Sequence, residues 1–463
     1  MAYSTINPYT GETLKTFPDA TDQEVDQAIQ NAHEAFLSWR KVDFTGRAKV
    51  LQKAADLLRA DATGYAKLLT MEMGKVLPEA LAEVELSAKI FEYYVHNAAK
   101  LLAPVTLPVL DAAEGKARVL HEPLGVLLAI EPWNFPYYQI ARVIAPQLSA
   151  GNTVLLKHAS NVPQCAAIFE KLMLAAGLAK GCFTNLYATR GQIERIINDP
   201  RVHGVALTGS EEAGAVVAAQ AGKALKKCTL ELGGSDAFVV LADADIDKAV
   251  KWAVFGRHWN AGQVCCSSKR IILHESIYEV FMERFRAGVA ELKAGDPMDP
   301  GTTLAPLSSQ GAADQVREKI RRAVANGASA EEIGPKVPTK GAFVQPTLLT
   351  GIKSDNPARH WEFFGPVSLI FTCKDDAEAV RIANDSPFGL GGSVFSKSNK
   401  HAGAVANQIE TGMMFINHPT MVKADLPFGG INHSGFGREL TGLGIKEFVN
   451  YKLIDVVDIN AGF

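Results

Sequence analysis

The chain has 463 residues, 47% of them hydrophobic and 21% charged, a mixture with ample apolar material for buried cores that excludes a disordered polypeptide. Its 47 Lys and Arg stand against 50 Asp and Glu, a formal charge of -3 with no long run of one sign, so neither nucleic acid nor an anionic membrane surface is an expected partner. At about 150 residues per unit the length suits roughly three units, or two larger domains sharing an interface.

The N-terminal run "MAYSTINPYTGETLKTF" lacks the basic-then-apolar profile of a secretory signal, and no apolar run approaches a membrane span. The expectation is a cytoplasmic protein. The first predicted helix, "TDQEVDQAIQNAHEAFLSW", opens on a capping box between Thr21 and Glu24 and aligns Val25, Ile29, Ala32, Phe36 and Leu37 on one face. "RAKVLQKAADLLRA" and "EVELSAKIFEYYVHNAAKLL" continue the helical period. From residue 118 short apolar runs alternate with helical patterns: "GVLLAI", "NTVLLK", "FTNLYA", "HGVALTG", "CTLEL" and "AFVVL". Strands spaced by helices predict βαβ units around a mostly parallel sheet, an α/β fold.

After about residue 235 a second α/β set follows, with "KRIILH", "PVSLIF", "GGSVFS" and "GMMFIN" as strands and "IYEVFMERFRAGVAEL" as a helix. The Gly/Pro clusters "KAGDPMDPGTTLAPLSS" and "LPFGGINHSGFG" read as surface loops. "ARVLHEP" and the C-terminal "KEFVNYKLIDVVDI" stand apart from both series as lone strands, suited to an arm for oligomerisation.

Four fragments carry candidate chemistry. In "AIEPWNFPYYQIAR", Asn134 follows a strand between Trp133 and Phe135; its amide can donate to an oxygen that gains charge in a reaction, or simply form the turn. In "HGVALTGSEEAG" a strand runs into Thr208, Gly209 and Ser210 before an acidic helix start. That is either a βα turn or an anion site made of free backbone N–H groups at a helix N-terminus. In "ELGGSDAF", Glu231 ends a strand ahead of Gly233 and Gly234, a general base beside permissive backbone or a solvated strand-end carboxylate.

The fourth fragment is "AGQVCCSSKR", residues 261–270, with adjacent Cys265 and Cys266 in a chain of six cysteines. The six lack the C-x-x-C spacing of a zinc or dithiol site. Neighbouring Cα atoms lie about 3.8 Å apart, short of the roughly 4.4 Å an ordinary bridge needs. Packing or thiol chemistry remains. The permissive turn at Gly262 and Gln263 lets one thiol face a cleft, and with no histidine alongside, its activation needs a carboxylate through water, local dipoles or a cofactor charge.

In order and spacing, "PWNFP", "LTGS", "ELGGSD", "GQVC", "EFFGPV" and "PFGG…SGFGRE" resemble the NAD(P)-dependent aldehyde dehydrogenase superfamily over essentially the whole chain. The resemblance implies an aldehyde dehydrogenase-like fold. A Rossmann-type cofactor domain would span 1–103 and 123–233, an α/β catalytic domain 234–440, and a β-strand oligomerisation arm 104–122 and 441–463, giving a homodimer or homotetramer. Carried over motif by motif, it makes Cys265 the nucleophile, Cys266 its packed neighbour, Glu231 the base and Asn134 the oxyanion donor. It puts the cofactor, NAD or NADP, against Trp133, Lys157, Gly209, Ser210, Glu362 and Phe364.

Many NAD-preferring relatives have a glutamate three residues after the lysine; here Ser160 stands there in "KHASNVP". A neutral hydroxyl removes a charge clash with a 2'-phosphate, so NADP is expected to be accepted. "KHASNVPQCA" and "ELGGSDAF" look most like semialdehyde dehydrogenases, with succinate semialdehyde the leading substrate and glutarate semialdehyde or another aldehyde as alternatives. Arg142 matches an arginine that grips the distal carboxylate in such enzymes. A second arginine of those relatives is replaced by Trp259, with Arg257 two positions away. Glu231 argues against a coenzyme A-acylating or acyl-phosphate reductase, and the retention of Cys265, Asn134 and Glu231 argues against a non-enzymatic relative.

Overall fold

The structure, a computed structural model, describes residues 3–108 and 115–460. The strands between residues 126 and 231 form one sheet, in the spatial order Lys227–Glu231, Val202–Thr208, Val126–Glu131, Thr153–His158 and Phe183–Asn185, all parallel. The chain runs outward in one direction from Val126–Glu131 and then returns to its other side at Val202–Thr208. Such a reversal opens a crevice beyond the carboxyl ends of the two central strands, where ligands of open α/β sheets bind. Helices cover both faces, which is why Val126 to Ala129 and Val154 to Leu156 are buried and read as unbroken apolar runs.

The second sheet has seven strands, in the order Ser329–Glu332, Thr347–Thr350, Val367–Cys373, Arg270–His274, Ala237–Val240, Gly392–Phe395 and Phe415–Ile416. Only its first pair is antiparallel. Residues 232–236 join the two sheets, so "ELGGSD" lies at their junction.

The helix Asp22–Trp39 has the expected capping box, Thr21 accepting from Glu24 N and Glu24 accepting from Thr21 N. Its buried face ends on Trp39 rather than Leu37, which is 45% exposed. Three residues beyond Phe36, Trp39 returns to the same face, while Leu37 turns about 100° away. The helix Pro136–Ala150 is buried along its whole length. Proline at its first position starts it directly after the "PWNF" turn, so its first turns face the crevice.

Both segments read as surface loops are exposed in part, and each has a stretch packed inward. Leu304 to Leu307 are buried, as are Phe428 and Ser434. Gly435–Phe436 adds an antiparallel edge strand against Leu230 and Glu231, so part of the segment assigned to the catalytic unit completes the first sheet. Glycine and proline mark turns, and the small glycine residues let this turn press against a neighbouring backbone.

The lone strands pair with each other: Val105–Thr106, Lys116–Pro123 and Val449–Val456 make a three-stranded antiparallel sheet. Residues 109–114 and 461–463 of the expected arm lie outside the described residues. Residues 441–448 do not belong to it structurally, because the helix Thr441–Ile445 packs on the helices Leu77–Leu101 and Pro136–Ala150, and Ile445 and Phe448 join the main core. Among the described residues no helix is long and apolar enough to cross a membrane.

Candidate active site

The backbone ahead of Cys265 is under strain. Asn260 and Ala261 adopt φ of 50° and 53°, followed by Gly262 at 76°, a left-handed run that costs each non-glycine residue about 1–3 kcal/mol and persists only where its surroundings enforce it. They do: Asn260 Nδ2 donates to Asn134 O (3.0 Å), Asn260 N to the Glu79 carboxylate (2.9 Å) and Ser308 N to Gln263 Oε1 (2.8 Å). Ser308 comes from one of the segments read as a surface loop. The turn presents Cys265 to a cavity of about 370 Å3, small for a ligand site and suited to a small molecule. Its walls include Phe135, Tyr138, Trp259 and Phe428, with Lys75 and Glu79 as charged members.

Asn134 is buried with its amide orientation fixed: Nδ2 donates to Gln263 O (3.1 Å) and Oδ1 accepts from Gln139 Nε2 (3.4 Å). One Nδ2 proton is used on the nucleophile turn itself, leaving the other for a second acceptor. Glu231, at the end of its strand, is also buried, and neither of its oxygens has a hydrogen-bond partner among the described residues. Burial first, and then the negative charge of Glu439, push its carboxyl well above the ordinary range, while Arg142 opposes them. A carboxyl raised in this way holds a proton more readily than an ordinary one. The Glu131 carboxyl is raised likewise, by burial and then by Glu439.

The Cys265 thiol is shifted down. A hydrogen bond from Cys266 does most; burial works against it, Lys269 and Arg142 push further down, and Glu362 pushes up. Cys266 is buried and its own thiol is raised, chiefly by the same bond. The two adjacent thiols are thus chemically unequal.

Arg142 is not where a carboxylate anchor would be. It is 1% exposed, does not line the cavity, and is committed to Glu439 by an ion pair, to Thr208 Oγ1 (2.8 Å) and to Tyr138 Oη (3.0 Å). Its guanidinium stacks on the rings of Tyr138 and Phe428, both in the cavity wall, at 4.9 and 5.1 Å. Helical spacing explains the arrangement: four residues after Tyr138, Arg142 lies on the same face one turn deeper. Arg257 is likewise buried and spends its donors on Ser267 and the Phe363 carbonyl (3.1 Å). The one cation in the wall is Lys75, paired with Glu83 and lying 3.5 Å from the centre of the Phe135 ring. Trp259 does line the cavity.

Across the junction lie the residues expected to meet a cofactor. Gly209 and Ser210 follow the strand Val202–Thr208 at the sheet's reversal, and Ser210 caps the helix Glu211–Lys223 by accepting from Ala213 N (3.3 Å). A Cβ on Gly209 would meet nothing closer than 3.6 Å, so the turn is open. Lys157 is the penultimate residue of the strand Thr153–His158, beyond Val126–Glu131, and has no ion pair among the described residues, its ammonium lowered to about 8 by burial and then by Arg190. A half-buried lysine beside a second cation, with a free hydroxyl at Ser160, is a donor set that fits a phosphate. Trp133 and Phe364 meet edge to face at 5.6 Å. Glu362 turns toward the nucleophile, accepting from Gly234 N (3.1 Å) and pairing with Lys269 (3.0 Å).

Lys75, Glu79, Tyr138, Lys269 and Glu439 escaped the reading of the sequence. Tyr138 and Glu439 fall inside or beside quoted motifs, and Lys269 comes four residues after Cys265. Lys75 and Glu79 carry no signal beyond helical spacing.

The aldehyde dehydrogenase family model matches residues 1–454. A succinate-semialdehyde dehydrogenase [NADP(+)] of Deinococcus radiodurans is 48% identical over 98% of this chain and 94% of its own length. One of Mycobacterium tuberculosis is 44% identical over 98% and 99%. The crystal structure of succinic semialdehyde dehydrogenase from Streptococcus pyogenes, in complex with NADP+ as the cofactor, superposes with a TM-score of 0.96 at 48% identity, covering 99% of this chain and all of that one.

Proposed function

The chain belongs to the aldehyde dehydrogenase family, and on that premise we propose that it oxidises succinate semialdehyde to succinate, with NADP+ preferred and NAD+ accepted. The observation that carries the chemistry is the strained turn that exposes Cys265, its thiol shifted down, to a small cavity beside Asn134.

Cys265, as thiolate, attacks the aldehyde carbon. The oxygen takes up the negative charge and is held by the free Asn134 amide proton and the Cys265 backbone N–H. A nicotinamide held at the crevice would accept the hydride that this carbon loses. The thioester left on Cys265 is cleaved by water that has given a proton to Glu231, which releases the acid and the free sulfur. Trp133 and Phe364 would flank the nicotinamide, Glu362 would meet its ribose, Gly209 and Ser210 the pyrophosphate, and Lys157 with Ser160 the 2'-phosphate.

Recognition of the distal carboxylate falls to Tyr138 in place of Arg142. Its oxygen accepts from Arg142, so its own O–H is free to donate into the cavity, strengthened by the cation behind it. The cofactor unit, the catalytic unit and the arm are the working division of the chain. Tyr451, Leu453 and Val456 are more than half exposed on the arm, which supports assembly into a homodimer or homotetramer through it.

The test is initial-rate absorbance of the reduced nicotinamide, with succinate semialdehyde and propanal each assayed with NAD+ and NADP+. A higher kcat/KM for succinate semialdehyde with NADP+ is expected. Preference for propanal would remove the semialdehyde assignment, and exclusion of NADP+ would remove the role of Ser160.

A further inference from the structure

Lys269 is fully buried, and its three ammonium protons meet three oxygens: the carbonyls of Val264 (2.7 Å) and Cys265 (2.6 Å) and Glu362 Oε1 (3.0 Å). Its Nζ also lies 5.7 Å from the centre of the Phe364 ring. Lysine is among the residues least often buried, because desolvating an ammonium is costly without a partner. The single carboxylate in contact with it comes from a different element, the loop at 362–364. That carboxylate is tied to the nucleophile a second way, through Gly234 N–H; a Cβ on Gly234 would stand 2.6 Å from the Cys265 carbonyl. Cys265, Lys269, Glu362 and Gly234 therefore form one contiguous group.

We propose that Lys269 is a positioning residue that holds the Cys265 backbone and favours the Cys265 thiolate, and that Glu362 attenuates this for as long as it stays paired with Lys269. This rests on the reading of Cys265 as the nucleophile and Glu362 as a cofactor contact. In the paired arrangement the ammonium is balanced by a carboxylate and the thiol is less acidic. A contact that draws Glu362 away leaves the ammonium unbalanced next to Cys265, the thiol proton passes to water, and the thiolate is retained. Nucleophile strength is thereby linked to occupancy of the neighbouring site. The other groups that bear on Cys265 are Cys266 as hydrogen-bond donor, Arg142 as cation, and Glu231 and Tyr138 as neighbours; Asp236 lies near Lys269 and Cys266, and Lys319 and Arg257 are further cations facing Glu362.

The experiment is the pH dependence of Cys265 alkylation by iodoacetamide in the cofactor-free, full-length enzyme, read by peptide mass spectrometry. The sulfur displaces iodide only as the thiolate, so the midpoint of the profile reports its acidity. Glu362→Gln is expected to lower the midpoint by about one pH unit and Lys269→Met to raise it by about one, with Lys269→Arg near wild type. Glu362→Gln added to Lys269→Met should lower the midpoint by clearly less than Glu362→Gln alone, because the carboxylate's direct repulsion of the thiolate remains while the part that passes through the ammonium is gone. An unchanged midpoint in Glu362→Gln overturns the proposal even if Lys269→Met fails to fold, as does an equal Glu362→Gln shift with and without Lys269. A parallel profile with saturating NADP+ judges the underlying reading separately. No effect of NADP+ on the wild-type midpoint, with the cofactor-free shifts intact, would end the cofactor role of Glu362 and leave that of Lys269 standing.

Discussion

Replacing Tyr138 by phenylalanine removes one oxygen from the cavity wall and little else, because the ring, its packing and the helix Pro136–Ala150 remain. The hydroxyl accepts from Arg142 Nη1 at 3.0 Å, and a carboxylate receiving its O–H is a hydrogen bond to a charged group, worth about 1.5–3 kcal/mol. At a factor of ten for each 1.4 kcal/mol, kcat/KM for succinate semialdehyde should fall about 10- to 100-fold. Loss of the acceptor for Arg142 also has a cost. It is the same whichever aldehyde is bound, so it cancels in the ratio of succinate semialdehyde to propanal. The assay is initial rates for both aldehydes at saturating NADP+, with kcat and KM resolved and the loss expected in KM. A parallel fall for propanal, or an unchanged ratio, would refute the carboxylate-donor role and reopen the search for the anchor.

Three further outcomes follow from the geometry. Ser160→Glu should raise KM for NADP+ by about ten- to a hundredfold and leave NAD+ nearly unchanged, because a carboxylate facing a phosphate at close range costs about 1–3 kcal/mol; equal effects on the two cofactors would place the 2'-phosphate elsewhere. Glu231→Gln should give a burst of reduced nicotinamide of about one equivalent per active site followed by slow turnover, since it spares thioester formation and removes the base for its hydrolysis; loss of the burst itself would assign Glu231 to the first half of the reaction. The Glu79 carboxyl in the cavity wall is raised to about 7, chiefly by burial, so it is neutral below that pH and negative above it. KM for succinate semialdehyde should therefore rise from pH 7 to 8 while that for propanal stays flat, and Glu79→Gln should abolish the rise; a rise that persists in the variant would exonerate Glu79.

The strand ends were legible because a buried parallel strand must be apolar throughout and must stop where polar or small residues let the chain turn. Asn134, Gly209 and Glu231 stand at such stops. What the pattern could not reveal was pairing across distance. Arg142 reads as a cation available to a substrate carboxylate until Glu439, far along the chain, claims it, and Lys75 stands out only once Glu83 and Phe135 enclose it. The inward-packed parts of the segments at 293–309 and 426–437, Leu304 to Ser308 and Phe428 to Gly430, carry no local signal for a related reason. Glycine and proline report that the backbone turns, and whether that turn faces solvent depends on a partner the local sequence does not contain. Leu37 and Trp39 exchanged places because a broad helical face leaves the flanking positions undecided until the neighbouring helices are in place.

The aromatic and aliphatic wall of the cavity and the charges around it are parts of one electrostatic arrangement. Arg142 with Glu439, Lys75 with Glu83 and Lys269 with Glu362 each put a cation and a carboxylate together at or just behind the wall that Cys265 faces. Paired charges of this kind contribute little net field and therefore tolerate an aldehyde that arrives uncharged, yet in a water-poor site a change in either member of a pair is weakly screened and felt strongly. The reaction begins with a neutral carbonyl and passes through an oxyanion. A wall of bare cations would bind ground-state anions indiscriminately; balanced pairs with fixed donors such as the Asn134 amide reserve stabilisation for the charge that develops on the reacting oxygen. The excess of negative charge at Glu131, Glu231 and Glu439 over the single Arg142 then has a consequence of its own. Burial keeps those carboxyls above their ordinary range, with Glu439 repelling Glu131 and Glu231 and with Glu447 repelling Glu439, so a proton taken by Glu231 enters a site where carboxyl groups readily hold one.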